Sequence, residues 1–284
     1  MTNPFLIDGP TCISFSGGRT SVYMLWRVLD ANGGLPDEAQ VCFENTGKED
    51  EATLRFVREC GARWGVRIRW LEYRTALVPA DRWAEVDFAS ASRDGEPFEA
   101  AIRQRQFLPN PITRFCTVEL KIRTAHRFLK SLGWTEWDQM VGIRADEQRR
   151  VSKIRARPSP EIAAETMTMP LADAGVTLAD VHAFWSLQPF GLELQTVNGR
   201  TLAGNCDLCY LKPAAQVMSL IAEKPARAVW WARMEALALA LASTADGARF
   251  RNDRPSYSQM AAFADQQGDL FDHDDEAIAC FCGD

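Results

Sequence analysis

Histidine and lysine are scarce in this chain, and positive charge is not in excess. Three histidines occur among 284 residues and none falls in a motif, so we assign no histidine as a catalytic base. Of the 32 basic residues only six are lysine, and 38 acidic residues bring the net charge to −6. The composition therefore lacks the basic signature of a general nucleic-acid binder, while its arginines favour bidentate contacts with phosphate.

Long apolar runs are also absent, since no stretch reaches the length that crosses a bilayer. Residues 1–9 lack the basic region and the long apolar core of a signal peptide. We therefore expect a cytoplasmic protein with no membrane partner. Because thiols stay reduced in that compartment, the eight cysteines favour metal binding or catalysis over a disulfide framework.

The most informative stretch is residues 11–21, in which a short apolar run meets a glycine pair and then a helical pattern. Gly17 and Gly18 predict a tight turn, and we expect Thr20 or Ser21 to cap the following helix. A helix N-terminus after such a turn suits a polyphosphate. The glycine spacing is not that of the Walker loop, and a glycine turn without a ligand remains the alternative.

The order of elements predicts an α/β protein. Apolar runs at residues 12–15, 41–43 and 66–70 predict strands, and amphipathic patterns between them predict helices. Right-handed crossovers then give a parallel twisted sheet with helices on both faces. In such sheets ligands bind at the carboxyl ends of the strands, so the glycine turn lies in the expected place.

Cysteines form the second chemical landmark. A Cys-x-x-Cys stands at Cys206 and Cys209, Cys116 precedes a predicted helix capped by Thr117, and the chain ends in a Cys-x-Cys. A thiol at a helix N-terminus has a lowered pKa, which favours thiolate at Cys116. Four thiolates suit zinc or a [4Fe-4S] cluster, and spacing alone does not decide between them. The candidate metal ligands are Cys116, Cys206, Cys209 and Cys282, with Cys280 as the alternative fourth ligand.

The run from Ser16 to Ser21 resembles the pyrophosphate loop of the adenine nucleotide alpha-hydrolase superfamily, also called PP-loop ATP pyrophosphatases. Members carry Ser-Gly-Gly-x-Asp-Ser, and Thr20 stands here in place of the Asp, as in members that resemble phosphoadenylylsulfate (PAPS) reductase. Three further segments resemble that group. They are the second nucleotide-contacting loop at Asn45, Thr46 and Gly47, the cysteine segment before a functional lysine at Cys116 and Lys121, and the Gly-x-Arg motif at Gly142 and Arg144.

The resemblance implies an adenine nucleotide alpha-hydrolase-like domain at residues 1–175 and a helical, cysteine-containing region at residues 176–284. It implies ATP, with Mg²⁺ possible, bound by Ser16, Gly17, Gly18, Arg19, Thr20, Ser21, Asn45, Thr46, Gly47, Gly142 and Arg144. Arg19, Lys121 and Arg144 would be catalytic by neutralising phosphate charge. A [4Fe-4S] cluster is favoured over zinc by similarity to the iron-sulfur proteins of DNA phosphorothioation and tRNA thiolation.

The function implied is an ATP-pyrophosphatase-type sulfur transferase acting in nucleic-acid thio-modification. Its expected partners are an adenine nucleotide, a nucleic-acid substrate, proteins of a modification complex, and a sulfur donor such as a cysteine desulfurase. One alternative is a PAPS or APS (adenylylsulfate) reductase, in which a thiolate such as Cys282 attacks the sulfonate sulfur. Another is a non-catalytic subunit that binds nucleotide and metal.

Overall fold

The computed structural model describes residues 3–156, 164–197, 200–241 and 248–266. A six-stranded sheet lies at its centre, with the order β4-β3-β2-β1-β5-β6. Only β4 runs antiparallel to its neighbour, and the other pairs are parallel. The strands are β1 (Thr11–Ser14), β2 (Ala39–Glu44), β3 (Ile68–Tyr73), β4 (Trp83–Val86), β5 (Trp137–Met140) and β6 (Glu165–Thr168).

Helices connect these strands and continue beyond them. Those between or beside the strands are α1 (Arg19–Asn32), α2 (Glu51–Trp64), α3 (Glu96–Arg105), α4 (Arg123–Ser131), α5 (Gln148–Ala156), α6 (Pro170–Asp173) and α7 (Leu178–Ser186). A short hairpin of β7 (Thr196–Val197) and β8 (Arg200–Thr201) precedes α8 (Ala214–Glu223), α9 (Arg227–Leu241) and α10 (Tyr257–Gln266). A π-helix (Thr117–Ile122) leads into α4, and a 3-10 turn (Pro79–Asp81) precedes β4.

The predicted α/β sheet with mostly parallel strands is confirmed, and its strand order is compatible with a Rossmann-like fold. The order reverses at β1, because β2 and β3 continue on one side of it whereas β5 and β6 lie on the other. At such a point the loops that follow the two central strands diverge and leave a crevice. The glycine turn after β1 therefore opens at the switch point of the sheet.

Alternation along the strands gives the sheet two apolar faces. Ile13 and Val41 belong to the core that also contains α1, α2 and α7 residues, whereas Cys12 and Cys42 pack with α4 on the opposite face. Cys12, Cys42 and Cys60 lie in apolar runs of the sequence, which predict core residues. Cys60 is also fully buried, and burial raises its pKa. The expectation that these three cysteines are core residues is confirmed.

A second core joins the C-terminal helices to part of the N-terminal half. Trp231, Phe250 and Tyr257 pack there with Phe98 of α3 and with Leu120 of the π-helix. Conversely, α7, which follows the predicted boundary at residue 175, packs against the core of the sheet. Each core thus contains residues from both sides of residue 175. The division into two folding units stays a prediction. Among the described residues no helix is long and apolar enough to span a membrane.

The expected cap of α1 by Thr20 or Ser21 is wrong. The helix begins at Arg19, and Gly18 is its N-cap with an extended backbone and no side-chain hydrogen bond. The reason is local, because Gly17 adopts a φ of 75° and completes the turn before residue 19. Thr20 and Ser21 consequently lie inside the first helical turn.

Two other local expectations also need correction. Thr117 does not cap a helix, because the chain is already helical at Cys116 (φ −57°, ψ −43°) and Thr117 is the first residue of the π-helix. The sequence at residues 169–173 predicts an extended segment, but Pro170 starts the short helix α6, where its fixed φ suits the first helical position. The sequence also predicts that Thr177 caps α7 with Asp180 in its first turn. This capping box is confirmed, since Thr177 N donates to Asp180 Oδ2 at 2.8 Å and the Thr177 side chain accepts from the backbone of Asp180.

Candidate functional site

The turn after β1 requires glycine at one position for two independent reasons. Gly17 has a positive φ, and a Cβ there would lie 2.8 Å from Thr53 Cγ2 and 2.9 Å from Val57 Cγ2. Gly18 then enters α1 without a side-chain cap. The first amides of an α-helix lack partners within the helix, and they stand at its positive dipole end. The start of α1 therefore has the properties of an anion site.

Two serines hold this loop in shape. Ser21 Oγ accepts a hydrogen bond from Ser16 N at 3.2 Å and donates to Gly18 O at 3.0 Å, and it lies 3.0 Å from Ser16 Oγ. The loop after β5 packs against Ser21, because a Cβ at Gly142 would lie 3.0 Å from Ser21 Cα. Gly142 thus lets the loops after β1 and β5 approach closely.

A cavity of about 320 Å³ opens beside this loop, between the ends of β1 and β5 and the helices that follow residue 114. Arg114, Lys121 and Arg150 contribute positive charge to its wall, and Glu44 and Glu165 contribute carboxylates. The lining residues are Ser14, Phe15, Ser16, Ser21, Glu44, Arg114, Thr117, Val118, Lys121, Ile122, Ala125, His126, Gln139, Val141, Gly142, Ile143, Arg150, Glu165 and Met167. A site of this size with three cationic residues in its wall fits a phosphorylated small molecule.

The π-helix brings Lys121 to this wall. Segments of π-helix are rare and often occur at functional sites, because the wider turn redirects side chains. On the same segment Glu119 is buried and binds three arginines, with Arg123 Nη1 at 2.6 Å, Arg127 Nη2 at 3.3 Å and Arg105 in close contact. Burial raises the pKa of Glu119, but these arginines outweigh burial and the pKa is lowered. The structure thus places Lys121 at the cavity, beside a firmly anchored turn.

Arg19 and Arg144 flank the loop, and their guanidinium groups bind other parts of the protein. Arg19 donates to Leu192 O and to Thr196 Oγ1, each at 2.7 Å, and burial lowers its pKa. Arg144 donates to Thr20 Oγ1 at 3.1 Å and pairs with Asp146 at 3.0 Å. Neither belongs to the residues that line the described cavity. Phosphate contact by either arginine therefore stays a prediction.

The loop after β2, which resembles a nucleotide-contacting loop, makes its described contacts within the protein. Asn45 and Thr46 are buried, and Asn45 Nδ2 donates to Glu72 Oε1 at 2.6 Å. Gly47 has a φ of 77°, and a Cβ there would lie 2.9 Å from the Gly95 backbone. None of the three residues lines the described cavity, although the preceding Glu44 does, and nucleotide contact by this loop stays a prediction.

That loop instead holds the Cys-x-x-Cys segment against the sheet. Asp207 N donates to Lys48 O at 2.7 Å, and the buried Lys48 Nζ pairs with Asp207 Oδ2 at 3.3 Å. Thr46 Oγ1 lies 3.4 Å from Cys206 Sγ, and Glu49 forms an isolated β-bridge with Cys206. The contacts of this loop therefore explain where the cysteines sit.

Cys116, Cys206 and Cys209 all pack against the C-terminal core. Cys116 Sγ lies 3.2 Å from the hydroxyl of Tyr210, the residue after Cys209. Burial, followed by the negative charge of Glu49, raises the pKa of Cys206 well above its ordinary value, so a metal would have to displace a thiol proton there. Within the described ranges no three histidine, cysteine or acidic side chains form a group that could hold a metal ion. Cys280 and Cys282 lie outside those ranges, and the four-cysteine site stays a prediction.

One pair of cavity residues was missed by the sequence interpretation. The sequence predicts that His126 is an ordinary helix residue outside any motif. In the structure it is buried and its Nε2 lies 2.6 Å from Glu165 Oε2. The available signal was its position, because His126 shares the apolar side of the helix with Ile122, Ala125 and Leu129. A polar ring on an apolar helix face needs a buried partner, which the sequence does not identify.

Comparisons with known proteins give weak relationships. No protein-family model matches the chain. The chain is 28% identical over 211 residues to the uncharacterized nin region protein ORF290 of Escherichia phage lambda, covering 72% of this chain and 67% of that protein. It is 29% identical over 86 residues to a tRNA(Ile)-lysidine synthase of Bacteroides thetaiotaomicron, covering 30% of this chain and 20% of that protein. The second similarity therefore concerns about a fifth of the relative.

Proposed function

We propose that this protein is an ATP pyrophosphatase of the PP-loop type, which activates an acceptor by adenylation. The observation that carries the proposal is the start of α1, which has no side-chain cap, follows a glycine turn and stands beside a cavity at the switch point of the sheet. The partial similarity to a tRNA(Ile)-lysidine synthase supports the same class of enzyme.

In the proposed reaction an acceptor oxygen attacks the α-phosphorus of ATP. The bond between that phosphorus and the oxygen bridging to the β-phosphate breaks, and pyrophosphate leaves with its electron pair. The amides that begin α1 hold the β- and γ-phosphates, and Lys121 with Arg114 and Arg150 neutralises charge that develops in the cavity. Arg144 braces the loop through Thr20, and Arg19 ties it to residues 192–196.

Sulfur transfer is the finer part of the proposal. The bond between the acceptor atom and the adenylate oxygen breaks, a bond to sulfur forms, and AMP leaves. The new bond is made by sulfide-level sulfur, so a donor protein such as a cysteine desulfurase, which carries a persulfide, acts together with a thiol that supplies two electrons. The acceptor is a nucleic acid. Cys116, Cys206 and Cys209, with Cys282 or Cys280, would hold a [4Fe-4S] cluster, which when bound supplies sulfide. Thiols are suitable ligands for such a cluster, and the three described cysteines lie against one core.

One observation favours a second candidate, a reductase of PAPS or APS. Thr20 occupies the loop position of the acidic residue in ATP pyrophosphatases, and its hydroxyl accepts a bond from Arg144. The loop thus presents no carboxylate of its own for a magnesium ion. A reductase needs no such ion, because a thiolate attacks the sulfonate sulfur and releases the nucleotide.

Product analysis separates these reactions. The full chain is incubated with ATP, Mg²⁺ and either tRNA or DNA, and pyrophosphate is measured; in parallel it receives PAPS or APS with a thiol, and sulfite is measured. We expect pyrophosphate and no sulfite.

Lys121→Ala should lower the rate of pyrophosphate release by about 10²- to 10³-fold, the scale for losing one electrostatic contact in a transition state. Lys130→Ala is the control, because Lys130 is an exposed residue near the end of α4, the helix that follows the π-helix of Lys121.

Sulfite release without ATP would overturn the adenylation proposal in favour of the reductase. Nucleotide binding with no bond broken under either condition would instead indicate a non-catalytic subunit. An equal loss of rate in the Lys121 and Lys130 variants would remove Lys121 from the reaction.

A further inference from the structure

His126 and Glu165 form a buried polar pair in the cavity wall, and the part of the cavity that they line is called its inner end. His126 projects from α4 and Glu165 begins β6, and their side chains are 5% and 6% exposed. The imidazole also packs edge-on against Trp137, with ring centroids 5.1 Å apart. Its neighbours along the cavity wall include Ile122, Ala125 and Met167.

One nitrogen of this pair has no partner. The Nδ1 atom of His126 is buried and makes no hydrogen bond within the part of the chain that the structure describes. An orphan polar atom of this kind destabilises a fold, so its retention in a residue of the cavity wall calls for a ligand.

The partner on the other side of the ring sets what that ligand must offer. A carboxylate only accepts hydrogen bonds, so the contact between Glu165 Oε2 and His126 Nε2 places the ring hydrogen on Nε2. In the neutral ring Nδ1 is then an acceptor. A ligand group that faces it must therefore be an N–H or O–H donor.

The side-chain amide of Gln139, another residue of the cavity wall, cannot replace His126 Nδ1 as the acceptor. Gln139 Nε2 donates to Ser14 Oγ at 2.7 Å, and Gln139 Oε1 accepts from Trp137 Nε1 at 3.3 Å. Both polar atoms of this side chain are thus used within the protein. His126 Nδ1 is therefore an acceptor that the protein leaves unused at this part of the cavity wall.

We propose that the inner end of the cavity is the subsite for the nucleotide base, in which His126 Nδ1 accepts a hydrogen bond from the 6-amino group of adenine. His126, Ser16 and Ser21 line the same cavity, so a nucleotide whose phosphates lie at the start of α1 can place its base beside His126. Apolar walls suit a flat heterocycle. This inference rests on the proposed nucleotide-binding function and adds the residue that selects the base.

Base selection gives the expected measurement. Hypoxanthine carries an oxygen where adenine carries the amino group, so inosine nucleotides would place an acceptor against an acceptor. A site built to receive a donor rejects such an analogue strongly. We expect ATP to bind at least about tenfold more tightly than ITP, and adenosine more tightly than inosine.

The test uses calorimetric binding of adenosine, inosine, ATP and ITP to the full chain and to three variants. His126→Phe should remove the preference for the amino base. Glu165→Gln should narrow or invert it, because the glutamine amide can donate to Nε2 and so move the ring hydrogen to Nδ1. His182→Phe is the matched control, since His182 is an exposed residue of α7, and it should keep the wild-type preference.

The outcomes separate this inference from the proposed function. Tight binding of ATP with pyrophosphate release, but equal binding of ITP, overturns the base subsite and leaves the function intact. A preference for adenosine over inosine, with no gain in affinity from the triphosphate, supports the subsite and overturns the phosphate site. Absence of binding by all four ligands overturns both. Should His126→Phe fail to fold, an unchanged base preference in Glu165→Gln overturns the subsite.

Discussion

Replacement of Gly18 by aspartate should make the protein slightly more stable and at the same time strongly weaken nucleotide binding. Gly18 is the N-cap of α1, and its backbone (φ −85°, ψ 155°) lies in the extended region that any residue adopts. An aspartate there can accept a hydrogen bond from an amide of the first turn and complements the helix dipole. The same amides are those assigned to the phosphates of ATP.

The two effects differ in sign and size. Capping an end that lacks a side-chain cap contributes a few tenths of a kcal/mol to about 1 kcal/mol of unfolding free energy. A phosphate on the same amides would lie roughly 4 Å from the new carboxylate, and two unit charges at that distance repel by about 4 kcal/mol at an effective dielectric constant near 20. Allowing for salt, a loss of about 2 to 4 kcal/mol raises the dissociation constant for ATP by roughly 30- to 700-fold.

Gly18→Ser is the matched variant, because serine caps a helix as aspartate does but adds no charge. Thermal unfolding should show both variants at or slightly above the wild-type midpoint. Calorimetry at about 0.1 M salt should show ATP binding reduced less than about tenfold in Gly18→Ser and almost lost in Gly18→Asp. If Gly18→Asp binds ATP as well as Gly18→Ser does, the phosphates do not lie at the start of α1 and the reasoning fails.

Three further outcomes follow from the packing and the charges. Gly142→Ala should weaken ATP binding and lower the unfolding midpoint, because its Cβ would lie 3.0 Å from a Cα at the start of α1, whereas Gly9→Ala, with nothing within 4 Å, should do neither. Glu119→Gln should lower the free energy of unfolding by roughly 1 to 3 kcal/mol relative to the wild type at pH 7. Because its arginine partners lower the pKa of Glu119, that difference in denaturant unfolding should shrink as the pH falls below the ordinary value of 4.5, and a difference that grows would contradict the ion-pair account. Anaerobically purified protein should contain about four iron and four sulfide per chain, lost in Cys206→Ser and kept in the core variant Cys60→Ser; stoichiometric zinc in the wild type would exclude the cluster.

Several features could be derived from sequence because they depend on neighbouring residues. The apolar runs and amphipathic patterns predicted the α/β order and three of the strands, since side-chain periodicity is a property of a few consecutive residues. The capping box at Thr177 and Asp180 spans four positions and was predicted for the same reason. The glycine turn was also predicted, because a positive φ is a local requirement, although the sequence did not show that α1 would begin at Arg19.

The composition of the cavity was decided by tertiary structure. His126 and Glu165 are 39 residues apart and meet only because α4 packs beside β6 in a sheet whose order is not the order of the chain. A motif likewise does not show where its side chains point. The loop at Asn45 resembles a nucleotide-contacting loop, yet in the folded chain Asn45 binds Glu72, and the loop holds the Cys206 segment. Local sequence sets backbone conformation, whereas the partners of a buried polar atom depend on which distant segments pack around it.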